Sequence, residues 1–243
     1  MAESLILLIH GEPKAGKTHL AHTAPGPRLI LDAENGSRFI RGRRVSWDPA
    51  TDAPPAAGEW DTCVVQVRDF STLAHAYTWL NSGQHAFRSV VLDSLTEIQK
   101  RCKDQLTGTD DVVTERAWGQ LLVRMERLVR DFRDLTMHPS APIEALVILA
   151  LSQDKGGKWR PAIQGGLGVS LPGFVDVIGY LAAIETTADD GTVHRTRRLL
   201  VAPHSQFEAG DRTGAFEPLR VIENPTVVGM LDTLDTYLNT PPA

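Results

Sequence analysis

The run Gly11-Glu12-Pro13-Lys14-Ala15-Gly16-Lys17-Thr18 carries the clearest chemistry in this chain of 243 residues. Two glycines at this spacing, followed by lysine and a hydroxyl residue, form the pattern of a phosphate-binding loop, or P-loop. A triphosphate has to be wrapped at close range by backbone N–H groups, and glycine lets the main chain turn and approach without a Cβ. Lys17 is placed to reach the β- and γ-phosphates, and Thr18 to offer its hydroxyl to Mg2+. The expected cofactors are therefore ATP, or another nucleoside triphosphate, and Mg2+.

Further along, the apolar run Ser89-Val90-Val91-Leu92-Asp93 ends in a carboxylate. An aspartate at a strand end can act on Mg2+ through a water, opposite the P-loop threonine. Hydrolysis also needs a group that activates water near the γ-phosphate. Glu34, just beyond the run Arg28-Leu29-Ile30-Leu31-Asp32, is the candidate, with Asp32 behind it. Gln153 follows another apolar run and can sense the γ-phosphate through its amide. After it, Lys155, Lys158, Trp159 and Arg160 lie in a glycine-containing stretch. Cations and a stackable ring on a flexible loop suit single-stranded DNA.

These residues must be held by strands and helices. Leu5 to Ile9 reads as a strand feeding the P-loop, and Lys17 opens a short helix that stops at Pro25-Gly26-Pro27. Arg28–Asp32, Thr62–Val67, Ser89–Asp93 and Ala145–Leu151 read as further core strands, with an irregular excursion between Trp47 and Glu59. Helices are expected from Ser71 to Asn81, from Ser94 to Leu106 and from Thr114 to Leu135. In the last, Arg124, Arg127, Arg130 and Arg133 alternate with acids and read as a solvated face. Strands at Tyr180–Glu185 and Thr192–Val201 are separated by Asp189-Asp190-Gly191, a hairpin turn signal. A final helix is expected with Asn224 as N-cap and Pro225 at its first position. The fold class is α/β, a mostly parallel central sheet flanked by helices with a C-terminal β-hairpin extension, in one domain spanning residues 1–243.

Composition bounds the function. Hydrophobic residues make up 42% and charged residues 23% of the chain, as in ordinary globular proteins, and no apolar run is long enough to cross a bilayer. The net charge of −5 argues against a general polyanion-binding surface, so any nucleic-acid contact must be local. Cys63 and Cys102 sit in no metal-binding pattern and read as reduced thiols of a cytoplasmic protein.

Taken together, the order of these parts resembles the RecA-like ATPases, most closely compact phage-encoded members associated with single-strand annealing and recombination. Gly11–Thr18 is similar to the Walker A motif of that family. Leu31-Asp32-Ala33-Glu34 is similar to the segment whose glutamate activates water, and Val91-Leu92-Asp93-Ser94 to the Walker B strand. Leu151-Ser152-Gln153 resembles the strand end leading into the DNA-binding loop. Gly210-Asp211-Arg212-Thr213-Gly214 resembles the basic tract that reaches a neighbouring subunit's nucleotide, which makes Arg212 a candidate trans-acting finger, although the lysine usual beside it is absent. The resemblance implies a DNA-stimulated ATPase that forms a homo-oligomeric ring or filament, binds single-stranded DNA, works beside a single-strand-binding protein, and resides in the cytoplasm of a bacterial host. A ring-forming helicase, a small-molecule P-loop kinase and a nucleotide-binding assembly protein are the alternatives. A GTP switch is not among the readings favoured, because no Asn-Lys-x-Asp segment occurs.

Overall fold

The computed structural model describes residues 4–108, 113–187 and 191–241. In chain order the elements are β1 (Leu5–Gly11), α1 (Lys17–Ala21), β2 (Arg28–Asp32), β3 (Arg44–Ser46), β4 (Thr62–Gln66), α2 (Ser71–Asn81), β5 (Ser89–Asp93), α3 (Leu95–Thr107), α4 (Glu115–Asp134), β6 (Ala145–Asp154), β7 (Trp159–Pro161), α5 (Leu167–Ser170), β8 (Val177–Thr187), β9 (Val193–Leu200), β10 (Gly210–Asp211), β11 (Val221–Glu223) and α6 (Val227–Asn239).

The central strands are apolar on both faces, which is what a parallel sheet covered by helices on each side requires. Side chains alternate across β1. Leu5, Leu7 and Ile9 join a core with Leu20 and Ala21 of α1 and Val227, Met230 and Leu234 of α6. Ile6 and Leu8 enter the opposite core, built with Leu73 and Leu80 of α2, Leu95 and Ile98 of α3, and Met125, Val129 and Phe132 of α4. The result is three layers, an α/β fold of the P-loop NTPase type.

Strand order is β11-β9-β8-β1-β6-β5-β2-β4-β3. Pairing is parallel from β8 through to β3, and antiparallel for β8–β9 and β9–β11. From β1 the chain moves to β2 on one side, and from β6 it returns to β8 on the other. Such a reversal opens a crevice at the carboxyl ends of the strands. The P-loop leaves β1 at that edge, where Asp32 and Asp93 stand in register on neighbouring strands.

The expected hairpin is present, and its first strand lies beside β1 as part of the parallel sheet. Asp189 and Asp190, assigned to its turn, lie outside the described residues. Two readings are corrected, and one strand is added. The stretch after Gln153 is a tight hairpin rather than a flexible loop: Gln153 pairs with Arg160 and Asp154 with Trp159. The last helix is capped by Thr226, whose side chain accepts from the Gly229 N–H, and not by Asn224. Asn224 instead adopts φ 45° and accepts from the Arg197 N–H, so its side chain is committed to β9. The short β3, which pairs with β4, was not anticipated from its polar sequence.

Candidate active site

Lys14 and Gly16 adopt positive φ, 67° and 100°, within the loop between β1 and α1. Backbone alternation of this kind makes a nest for an anion. No side chain caps α1, and the loop closes on itself through the Ala15 N–H to Glu12 O bond, 3.3 Å. Lys17 Nζ donates to Gly11 O and Glu12 O, each at 2.9 Å, so its ammonium lies folded over the loop's own carbonyls. Burial lowers its pKa, while Glu34 and Asp93 pull the other way.

Those carboxylates reach the loop from two other strands. Thr18 Oγ1 donates to Asp93 Oδ2 at 2.8 Å. Asp93 is buried, and desolvation raises its pKa to about 6, against the Thr18 hydrogen bond and with help from Glu34 and Asp32. A buried carboxylate in this state gains from a cation at its open side. Glu34 is exposed and accepts a hydrogen bond from Ser94 Oγ, at the start of α3. The backbone at Gly36 passes both Thr18 Oγ1 and Asp93 Oδ2: a Cβ there would stand 3.7 and 4.0 Å from them.

Asp32 has a different task from the one read as second in line for water activation. Its carboxylate accepts from the N–H groups of Glu34 (3.1 Å), Gly36 (3.2 Å) and Ser37 (3.0 Å) and from Ser37 Oγ (2.5 Å). Arg101 of α3 grips Ala33 O from behind at 2.7 Å, and Ala33 N–H donates to Asp93 O at 2.7 Å. The loop that presents Glu34 is therefore fixed on both sides. Ser94, Asp32 and Arg101 as positioning residues were missed in the sequence, where the only signal was the capping pattern Ser94 to Glu97.

The donors facing Thr18 are hydroxyl and carboxylate oxygens, the kind that Mg2+ prefers. Among the described residues no group of three or more His, Cys, Asp or Glu could hold a metal alone. A cation at Thr18 and Asp93 would thus be completed by phosphate and water oxygens, as P-loop sites are. The residues fit the group.

A family profile described as "AAA domain" matches residues 3–213. The chain belongs to the AAA domain family. The matched stretch contains the loop Gly11–Thr18, Glu34 and the strand-end Asp93. No curated protein sequence matches the chain. Among solved structures, it is similar to an ATPase from the type III secretion system of pathogenic bacteria, at 14% identity and TM-score 0.44, covering 74% of this chain. It spans about half of that protein's length, 52%. It is also similar to the flagellar accessory protein FlaH of Methanocaldococcus jannaschii, at 8% identity and TM-score 0.41, covering 82% of this chain and 79% of that one.

The other candidates lie around this centre. Gln153 stands two residues past Leu151, the register partner of Gly11, and its Nε2 leans on Pro161 O at 3.5 Å. In the hairpin beside it, Lys155 is exposed, Lys158 and Trp159 are half-buried, and Arg160 pairs with Glu208 at 3.2 Å. Trp159 is strapped to the 206–208 segment by its N–H to Gln206 O and its carbonyl from Glu208 N–H, both 2.8 Å. Arg212 is not free at the surface: it donates to Asp176 Oδ1 through Nε (2.9 Å) and Nη2 (2.6 Å). Asp176 Oδ2 in turn accepts from the Ile6 N–H at 2.8 Å, which ties Arg212 to the start of β1 rather than to a phosphate site.

His10, unremarked in the sequence, joins these parts. It is fully buried immediately before the loop; its Nδ1 bonds with Ser152 Oγ at 2.8 Å and its Nε2 with Glu208 O at 2.6 Å. Burial lowers its pKa to about 4, offset by the Glu208 carbonyl and reinforced by Lys17, so the ring is neutral at pH 7. Among the described residues, no helix is long and apolar enough to cross a membrane.

Proposed function

We propose that this chain hydrolyses ATP with Mg2+ and uses the state of the nucleotide to control its hold on single-stranded DNA, as a homo-oligomeric ring or filament. The observation that carries the hydrolytic part is the convergence of Lys17, Thr18, Asp93 and Glu34 from three strand ends on one loop. Bound Mg2+ would supply charge neutralisation at the phosphates. Lys17 exchanges its two carbonyl partners for phosphate oxygens. Thr18 turns a hydroxyl lone pair outward while its O–H goes on donating to Asp93 Oδ2. Glu34, held by Ser94, orients a water and accepts its proton as the water oxygen bonds to the γ-phosphorus and the bond from that phosphorus to the β,γ-bridging oxygen breaks, so that ADP and inorganic phosphate leave.

What supports the DNA part is the hairpin. It places Lys155 and Lys158 on a tight turn beside Trp159, and His10, the residue before the P-loop, bonds to Ser152 at its base. A change in the loop on nucleotide binding has a short path through Ser152 and Glu208 to the hairpin. Arg160 contributes less charge than its type suggests, since Glu208 already neutralises it.

The test is steady-state ATP hydrolysis with and without single-stranded DNA at two salt concentrations. Stimulation that fades with salt is expected, because phosphate contacts release counterions. In the same assay Lys17→Ala abolishes hydrolysis, and Glu34→Gln binds ATP but turns over at least about a hundredfold slower. Hydrolysis indifferent to DNA at both salts would remove the DNA part and leave an assembly ATPase or a kinase.

A further inference from the structure

Side chains alternate along a strand, so Arg195, Arg197 and Leu199 share one face of β9. Leu199 enters the core that also holds Leu20 and Ala21 of α1. The two arginines continue that face onto the P-loop. Arg197 lies directly against Gly16: a Cβ on that glycine would stand 2.3 Å from Nε, 3.0 Å from Cδ and 3.1 Å from Cζ. Gly16 thus has two reasons to be glycine, its positive φ and the arginine packed on it. Arg195 Nη2 donates to Lys14 O at 3.2 Å on the same loop.

The neighbouring arginines have counter-charges. Arg198 pairs with Glu223 at 2.7 Å, and Arg195 lies 3.9 Å from Glu185. Arg197 has none among the described residues, and its Nε is buried without a hydrogen-bond partner. Its backbone is locked, with N–H to Asn224 Oδ1 at 3.2 Å and its carbonyl accepting from Asn224 N–H at 2.7 Å. An unpaired, partly desolvated guanidinium is costly, and the groups beside it belong to a loop shaped for an anion.

We propose that Arg197 is a phosphate ligand acting in cis, donating to the polyphosphate of a nucleotide bound at Gly11–Thr18 of its own chain, with Arg195 bracing the loop at Lys14. This inference rests on reading that loop as a triphosphate site. It differs from a finger supplied by a neighbouring subunit, because the side chain touches its own loop.

The experiment compares wild type, Arg197→Gln, Arg197→Lys and Lys17→Ala by calorimetric titration with ATP and by thermal unfolding with and without nucleotide. Arg197→Gln should weaken ATP binding roughly ten- to hundredfold, the range for hydrogen bonds to a charged group, with Arg197→Lys in between. Its nucleotide-free midpoint should equal or exceed that of wild type, since an unpaired, partly buried cation is removed. An unchanged ATP affinity would overturn the proposal, as would a lowered nucleotide-free midpoint with the ATP-induced shift intact, which marks a structural role. Mixing Arg197→Gln with Lys17→Ala should not restore hydrolysis; restoration would assign the arginine to the neighbour's site. If wild type itself binds no ATP, the triphosphate reading fails first, and the proposal with it.

Discussion

At the scale of single residues, His10 shows how burial sets the chemistry of this site. Its pKa lies near 4 in the folded chain and near 6.5 when unfolded. The unfolded state therefore binds the extra proton first, so the stability this group supports is present above pH 6.5 and lost as pH falls toward 4. The full loss is roughly 3 kcal/mol, of which about 2 kcal/mol is gone by pH 5. Chemical unfolding at pH 7 and pH 5 should show that loss in wild type and a smaller one in His10→Gln. His22 is shifted in the same sense and remains in the variant, so the difference between the two curves isolates His10. Equal pH dependence in both proteins would show that His10 titrates normally.

At the scale of elements, the segment between β2 and β3 owes its shape to one carboxylate. Asp32 accepts from three backbone N–H groups and one hydroxyl, and this is what holds Glu34 toward Ser94. Asp32→Ala leaves those donors without an acceptor and should cost at least about 2 kcal/mol, a fall in midpoint of roughly 4–8 °C for a chain of this size. Hydrolysis should fall with it, while ATP affinity, which depends on the loop after β1, should change little. Wild-type turnover in Asp32→Ala would mean that Glu34 does not need this loop. The hairpin β6–β7 makes the complementary point. Its lysines and glycines read as a flexible loop, yet cross-strand pairing and the bonds from Gln206 and Glu208 hold Trp159 in place.

At the scale of the whole molecule, one sheet serves two cores. β1, β5 and β6 each send alternate residues to both faces, so neither core can melt while the other stays packed. The site draws on β1, β2 and β5 and therefore exists only in the folded state. MgATP at about a hundred times its dissociation constant should add about 2.7 kcal/mol, raising the midpoint by roughly 5–10 °C in a single transition. Differential scanning calorimetry checks both points, and Lys17→Ala should show no shift. The sequence alone determined the P-loop, the strand-end Asp93 and most helices, because spacing, periodicity and capping residues such as Ser94 and Thr114 are properties of a local stretch. It also marked Glu34. What it left open was which strands neighbour which: β1, β5 and β6 are all apolar runs buried on both faces, and nothing within such a run names its partner. Only the assembled sheet decides that Ser94 meets Glu34 across 60 residues and that Arg195 reaches Lys14 across 181. Only it binds Arg212 to Asp176 and turns Asn224 to β9. Long-range contacts of this kind follow from strand order and packing, which the chain settles when both faces of the sheet are covered.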